Sequence, residues 1–137
     1  LKEIAMRTYA VRLPPGADLK PELVRLTEEW NLQAGFILTC VGSLQVAALR
    51  LANQPDTTIY HDKYEIVSLV GTLCPDGPHL HISLSDGQGN MIGGHLQDGC
   101  EVYTTTEIVI GEMEDVRFTR EMDPLSGYEE LVVRKRA

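Results

Sequence analysis

The chain has 137 residues, 43% hydrophobic and 23% charged, which predicts one folded domain and excludes a disordered chain. Twelve Lys and Arg against twenty Asp and Glu give a net charge of −8, which disfavours a protein that lives on nonspecific phosphate contacts. No apolar run is long enough to span a bilayer, and no basic segment followed by an apolar stretch opens the chain, so neither a membrane span nor a secretory signal is expected. Three cysteines (Cys40, Cys74, Cys100) are too few and odd in number for a disulfide framework. They fit a reducing cytoplasm.

Leu1–Ala5 precede Met6, a natural start, and read as an extension of unknown role; the domain itself is placed at residues 6–137. Met6–Leu13 alternates as a strand does and stops at Pro14-Pro15-Gly16. Asp18 is a suitable N-cap, and Leu19, Leu23, Leu26 and Trp30 recur at helical spacing. They predict a helix over Leu19–Leu32 with Gly35 as its stop. Strand periods follow. Phe36–Val41 is broken at Gly42-Ser43, Val46–Leu51 comes next, and Gln54–Asp56 is a turn. His61 lies in a turn-like stretch and reads as a surface residue. Tyr64–Leu73 is a long strand ending at Pro75-Asp76-Gly77-Pro78.

His79–Ser85 alternates strictly. Leu80, Ile82 and Leu84 take one face; His79, His81, Ser83 and Ser85 take the other. Asp86–Asn90 is a glycine-rich hairpin turn, Met91–His95 returns, and Leu96–Gly99 turns again. Val102–Ile110 is β-branched and strand-like. Asp115–Glu121 and Glu129–Arg134 form a last hairpin around Pro124-Leu125-Ser126-Gly127, and Arg134-Lys135-Arg136 reads as a solvated tail. One helix followed by hairpin-linked strands predicts an α+β domain with a largely antiparallel sheet.

The chemistry concentrates on the histidines. His79 and His81 share one strand face, because residues i and i+2 point the same way. If Asp86 pairs with Asn90, then Ser85 faces Met91, Ser83 faces Gly93, and His81 faces His95. Directly opposed residues have Cβ atoms ~4.5–5.5 Å apart, so His95 joins the pair; a one-residue slip would send it to the other face. Gly93-Gly94 leave room for close approach. Three imidazoles with an open fourth position form a familiar zinc site, with nitrogen–zinc distances of ~2.0–2.1 Å. Asp98, Glu101 and Glu107 are the carboxylates placed to support them, with Asp86 also near. Cys100 reads as a small buried hydrophobe. There is no nucleophile elbow, P-loop or Cys-X-X-Cys; Gly87-Gln88-Gly89-Asn90 is turn chemistry.

Three stretches carry a family resemblance: Gly35–Leu44 (GFILTCVGSL), Tyr64–Leu73 (YEIVSLVGTL), and His81–Asn90 (HISLSDGQGN) running into Ile92-Gly93-Gly94-His95-Leu96. The chain resembles the plants-and-prokaryotes-conserved (PPC) domain in its stand-alone prokaryotic form, related to the domain of plant AT-hook nuclear proteins. The resemblance implies an α+β homotrimer and a DNA-associated or regulatory role. The chain departs from the plant pattern: it has no Arg-Gly-Arg-Pro core of an AT-hook, and its charge is negative. Plant members lack the three histidines, whereas prokaryotic members resemble this chain there, which implies a metal site of the prokaryotic branch. The competing expectation is a small-molecule metalloenzyme, with zinc as Lewis acid or water activator.

Overall fold

The computed structural model describes residues 3–137; Leu1 and Lys2, part of the expected extension, lie outside the described residues. Ala5 is tied down, its carbonyl accepting from the Glu114 backbone N–H (3.2 Å). The elements are β1 (Met6–Leu13), α1 (Leu19–Glu29), β2 (Gly35–Arg50), β3 (Thr57–Leu73), β4 (His79–Ser85), β5 (Met91–Leu96), β6 (Glu101–Met113), β7 (Val116–Met122) and β8 (Glu129–Lys135).

Helix α1 forms where its apolar spacing places it, burying Leu19, Leu23 and Leu26. It stops earlier than expected, because Asn31 adopts a left-handed conformation at φ 50°. Asp18 occupies the N-cap position, but its side chain does not cap the helix. Its carboxylate instead accepts from the Gly99 and Cys100 backbone N–H groups (2.8 and 3.1 Å), fastening the helix start to the turn before β6. Trp30 stacks on Tyr9 of β1 with ring centroids 4.6 Å apart.

The six-stranded sheet has the order β1-β6-β2-β3-β4-β5, every pairing antiparallel. The expected α+β class is overturned: among the described residues a single 11-residue helix accompanies eight strands, so the fold is β-rich. The reason lies in the strands that local signals cut short. Phe36–Val41 and Val46–Leu51 are one strand, because the ladder continues past Gly42-Ser43 through register shifts on both sides of β2. Likewise β3 begins at Thr57 and takes in the turn-like stretch around His61, which pairs with Val46.

One further pairing shapes the site. At its C-terminal end β2 is flanked on both edges, Leu49 and Arg50 facing Thr58 and Thr57 of β3 on one side and Leu96 and His95 of β5 on the other. Strands β2, β3, β4 and β5 therefore close on themselves. Leu80, Ile82 and Leu84 of β4 point into this closure beside Leu44, Leu49, Leu69 and Leu96, each contributing ~1.5–3 kcal/mol by burial. The opposite face of β4, with His79 and His81, is left outside.

Strands β7 and β8 form a separate two-stranded sheet. Phe118 anchors it against Ala34 and Cys74, and the Phe118 N–H donates to the Gln33 carbonyl (2.8 Å). Arg134 and Lys135 of the basic cluster are exposed as expected, but Arg136 is half-buried and engaged. Arg134 pairs with Glu121, and Arg136 donates to the buried Glu112 carboxylate (3.1 Å), which also accepts from the Gln33 N–H (2.6 Å). A buried carboxylate needs such partners, and they pin the C-terminal hairpin to the main sheet.

Candidate metal centre

The Asp86–Asn90 turn sets the register. The Asp86 N–H donates to the Asn90 carbonyl (2.9 Å), and the Asp86 carboxylate accepts from the Gln88 and Asn90 N–H groups (2.9 Å each). Pairing follows as read from the sequence: Ser85 with Met91, Ser83 with Gly93, His81 with His95. The return strand is tightly held. A Cβ on Gly94 would sit 2.9 Å from the Arg50 carbonyl, so the close β2–β5 approach depends on glycine there.

The three rings meet on the outer face. Centroids of His81 and His95 are 4.2 Å apart, those of His79 and His81 5.0 Å, and those of His79 and His95 5.5 Å. His81 Nε2 and His95 Nδ1 are 3.0 Å apart, so one ring donates and the other accepts. One ring nitrogen from each residue falls within 4.8 Å of the others. Three imidazoles whose ring nitrogens converge in this way form a donor set suited to zinc or another borderline cation.

Burial pushes the His79 imidazole below its ordinary pKa of 6.5, with the positive charges of Arg120, His81 and Arg50 adding to the effect and Glu130 opposing it. Burial likewise lowers His95, helped by His81, Arg50 and His79. NMR titration of the protein without added metal is expected to give midpoints below 6.5 for both rings. The folded chain then binds fewer protons than the unfolded one, so its stability falls as acid is added through this range. A midpoint above 6.5 for His79 would mean that Glu130 outweighs burial and the nearby cations.

Other expected residues lie elsewhere. Glu101 accepts from Gln45 Nε2 (2.7 Å), Glu107 accepts from the Thr105 hydroxyl (3.2 Å), and Asp98 is exposed in the turn before β6; none hydrogen-bonds a histidine. His61 is exposed on β3. Cys100 is buried, its thiol donating to the Ala48 carbonyl (3.3 Å) and pushed up to about 11 by burial.

Sequence reasoning missed the residues that surround the rings. Arg50 opposes His95 across the β2–β5 pairing. Arg120 of β7 donates from Nη2 to the Thr72 hydroxyl (2.7 Å), and Thr72 is the β3 partner of His79. Glu130 stands beside it on β8. Arg50, Arg120, Glu130 and Tyr128 line a cleft of about 580 Å3 that opens onto His79 and His95. A smaller hollow of about 240 Å3, lined by Val70, Thr72 and His81, shares His79, Arg120 and Glu130 with it. The hairpin period gave these residues a strand but not a destination.

The chain is 50% identical over 131 residues to the bifunctional protein GlmU of Synechococcus sp. (strain JA-3-3Ab), covering 96% of this chain and 21% of that protein, so it spans about a fifth of that relative's length. The structure of a hypothetical protein from Salmonella cholerae-suis is 42% identical, with a TM-score of 0.96 and 99% of each chain covered. A metal-containing protein from Archaeoglobus fulgidus shares the fold at 23% identity (TM-score 0.77, covering 96% of this chain and 99% of that one). So does a Bacteroides thetaiotaomicron protein named as a candidate DNA binder (20% identity, TM-score 0.78, covering 96% and 98%). The model of the Plants and Prokaryotes Conserved (PCC) domain matches residues 2–114, and the chain belongs to that family.

Proposed function

We propose that this chain is a zinc-holding domain in which His79, His81 and His95 bind one ion and leave a position open toward the cleft. The convergence of three imidazoles carries the reading. The fold it shares with a protein named for its metal supports it. Zinc there would supply a Lewis acid or a water of lowered pKa, so a small-molecule metalloenzyme is the alternative within the same site. Elemental analysis of protein purified without a histidine tag or nickel is expected to give one zinc per chain. A zinc content near zero after purification and after dialysis against zinc would end the proposal.

We further propose a homotrimer, as the family resemblance implies. Exposed apolar side chains along β2 and β3, including Val41, Ile59, Val67 and Val70, support self-association. Scattering at micromolar concentration is expected to return three times the chain mass, and a monomer mass would overturn it. A regulatory role with DNA is the second reading, favoured by the name of a structural neighbour. The charge of −8 and the engagement of Arg134 and Arg136 with Glu121 and Glu112 weigh against direct duplex binding. A cytoplasmic location rests on the free cysteines; among the described residues no helix is long and apolar enough to cross a membrane.

A further inference from the structure

We propose that the cleft beside the histidines binds a small monocarboxylate, one oxygen taking the open metal position and Arg50 gripping the carboxylate from the side. This rests on the zinc reading above and names the ligand of that site.

The first observation is Arg50. It is half-buried at the end of β2, opposite His95, and its guanidinium makes no hydrogen bond or ion pair among the described residues. Three carboxylates share its cleft, yet none takes it. Asp76 accepts from the Arg120 backbone N–H (2.9 Å), and Glu130 accepts from the Ser126 hydroxyl (3.0 Å). A guanidinium is a planar fork matched to a carboxylate and remains charged at any ordinary pH. Left without a partner beside a candidate metal site, it is positioned to meet an anion.

The second observation is the charge count. Arg50 and Arg120 face Asp76, Glu129 and Glu130 around the cleft. Two cations against three anions leave the cleft one negative charge, which repels an anion. A zinc dication on the neutral imidazoles reverses this to one positive charge, which a single carboxylate balances. Anion binding is therefore metal-dependent, and the ligand in turn tightens the metal, because coupling between two sites is reciprocal.

The third observation is the wall. Tyr128 and Pro78 give the cleft apolar surface, and its volume of about 580 Å3 admits more than an acetate. Tyr128, Glu130 and Arg120 lie beyond residues 2–114 matched by the family model. The C-terminal hairpin thus supplies the part of the cleft that distinguishes one carboxylic acid from another.

Titration calorimetry with benzoate tests this, using benzamide as the neutral analogue of the same shape. The zinc-loaded protein is expected to bind benzoate and to ignore benzamide. The zinc-free protein is expected to bind benzoate at least ~10-fold more weakly. Arg50→Gln should keep one zinc per chain and lose about 10- to 100-fold in benzoate affinity, the usual weight of a charge-assisted bidentate contact. Arg50→Lys, which keeps the charge and loses the fork, should fall between the two. Zinc-loaded protein that does not bind benzoate, equal affinity with and without zinc, equal binding of benzamide, or full affinity in Arg50→Gln would each overturn the proposal. A chain that takes up no zinc overturns the metal reading itself, a separate result that elemental analysis of the same sample reports.

Discussion

Replacing His81 by alanine is expected to abolish zinc binding while leaving the fold in place. His81 is the middle ligand: its ring lies edge-on to both His79 and His95, and its Nε2 is 3.0 Å from His95 Nδ1. Without it two imidazoles remain, too few to hold the ion in competition with water. Loss of a partner that merely supports a ligand costs ~10–100-fold in metal affinity, and loss of a ligand should exceed that. The stability readout follows. Zinc at a hundred times its Kd adds ~2.7 kcal/mol to the wild-type chain by mass action, and the variant should show no thermal shift on adding zinc. In the absence of metal the variant should melt close to the parent. The His81 side chain is exposed, and the core is filled by Leu80 and Ile82 on the other face of the same strand. A His81→Ala protein retaining one zinc per chain would falsify the three-histidine site.

Gly71→Ala should be among the most damaging single substitutions, and it should damage the site together with the fold. Gly71 pairs with Leu80 across β3 and β4 at φ +145°, a conformation that side chains rarely adopt. A Cβ there would lie 1.9 Å from the His79 carbonyl oxygen and 2.9 Å from the Leu80 Cα. Both are backbone atoms of the strand that carries the histidines, so no flexible side chain can move aside. Strain at such a dihedral costs ~1–3 kcal/mol, and forced overpacking costs a similar amount. A loss of ~3 kcal/mol or more is expected, roughly 10 °C in Tm for a domain of this size. Zinc affinity should fall as well, because β4 must move at His79. Gly77→Ala is the control. It too has a positive φ, +118°, but nothing stands within 4 Å of the added Cβ, so it should show the strain alone. Equal melting temperatures for the two variants would show that the β3–β4 clash is relieved at no cost.

The histidine cluster was legible from the chain because it rests on two local rules. A strand alternates faces, which sets His79 and His81 together. A short turn with its own hydrogen bonds fixes the register, which sets His95 opposite His81. The core face of β4 and the burial of Leu19, Leu23 and Leu26 follow from the same periodicities. The fold class was not legible in this way. Gly42-Ser43 and the stretch around His61 carry breaking signals, yet both lie inside long strands, because partners on each edge of β2 supply the ladder that local propensity disfavours. What surrounds the rings was decided entirely by long-range contacts. Arg50 meets His95 only because β2 pairs with β5 as well as β3. Arg120 and Glu130 reach His79 only because Phe118 packs against Ala34 and Cys74, and Arg136 against Glu112. A sequence read locally reveals which side chains share a strand face. Which charges share a cleft depends on how distant strands close on one another, and that is a property of the tertiary structure.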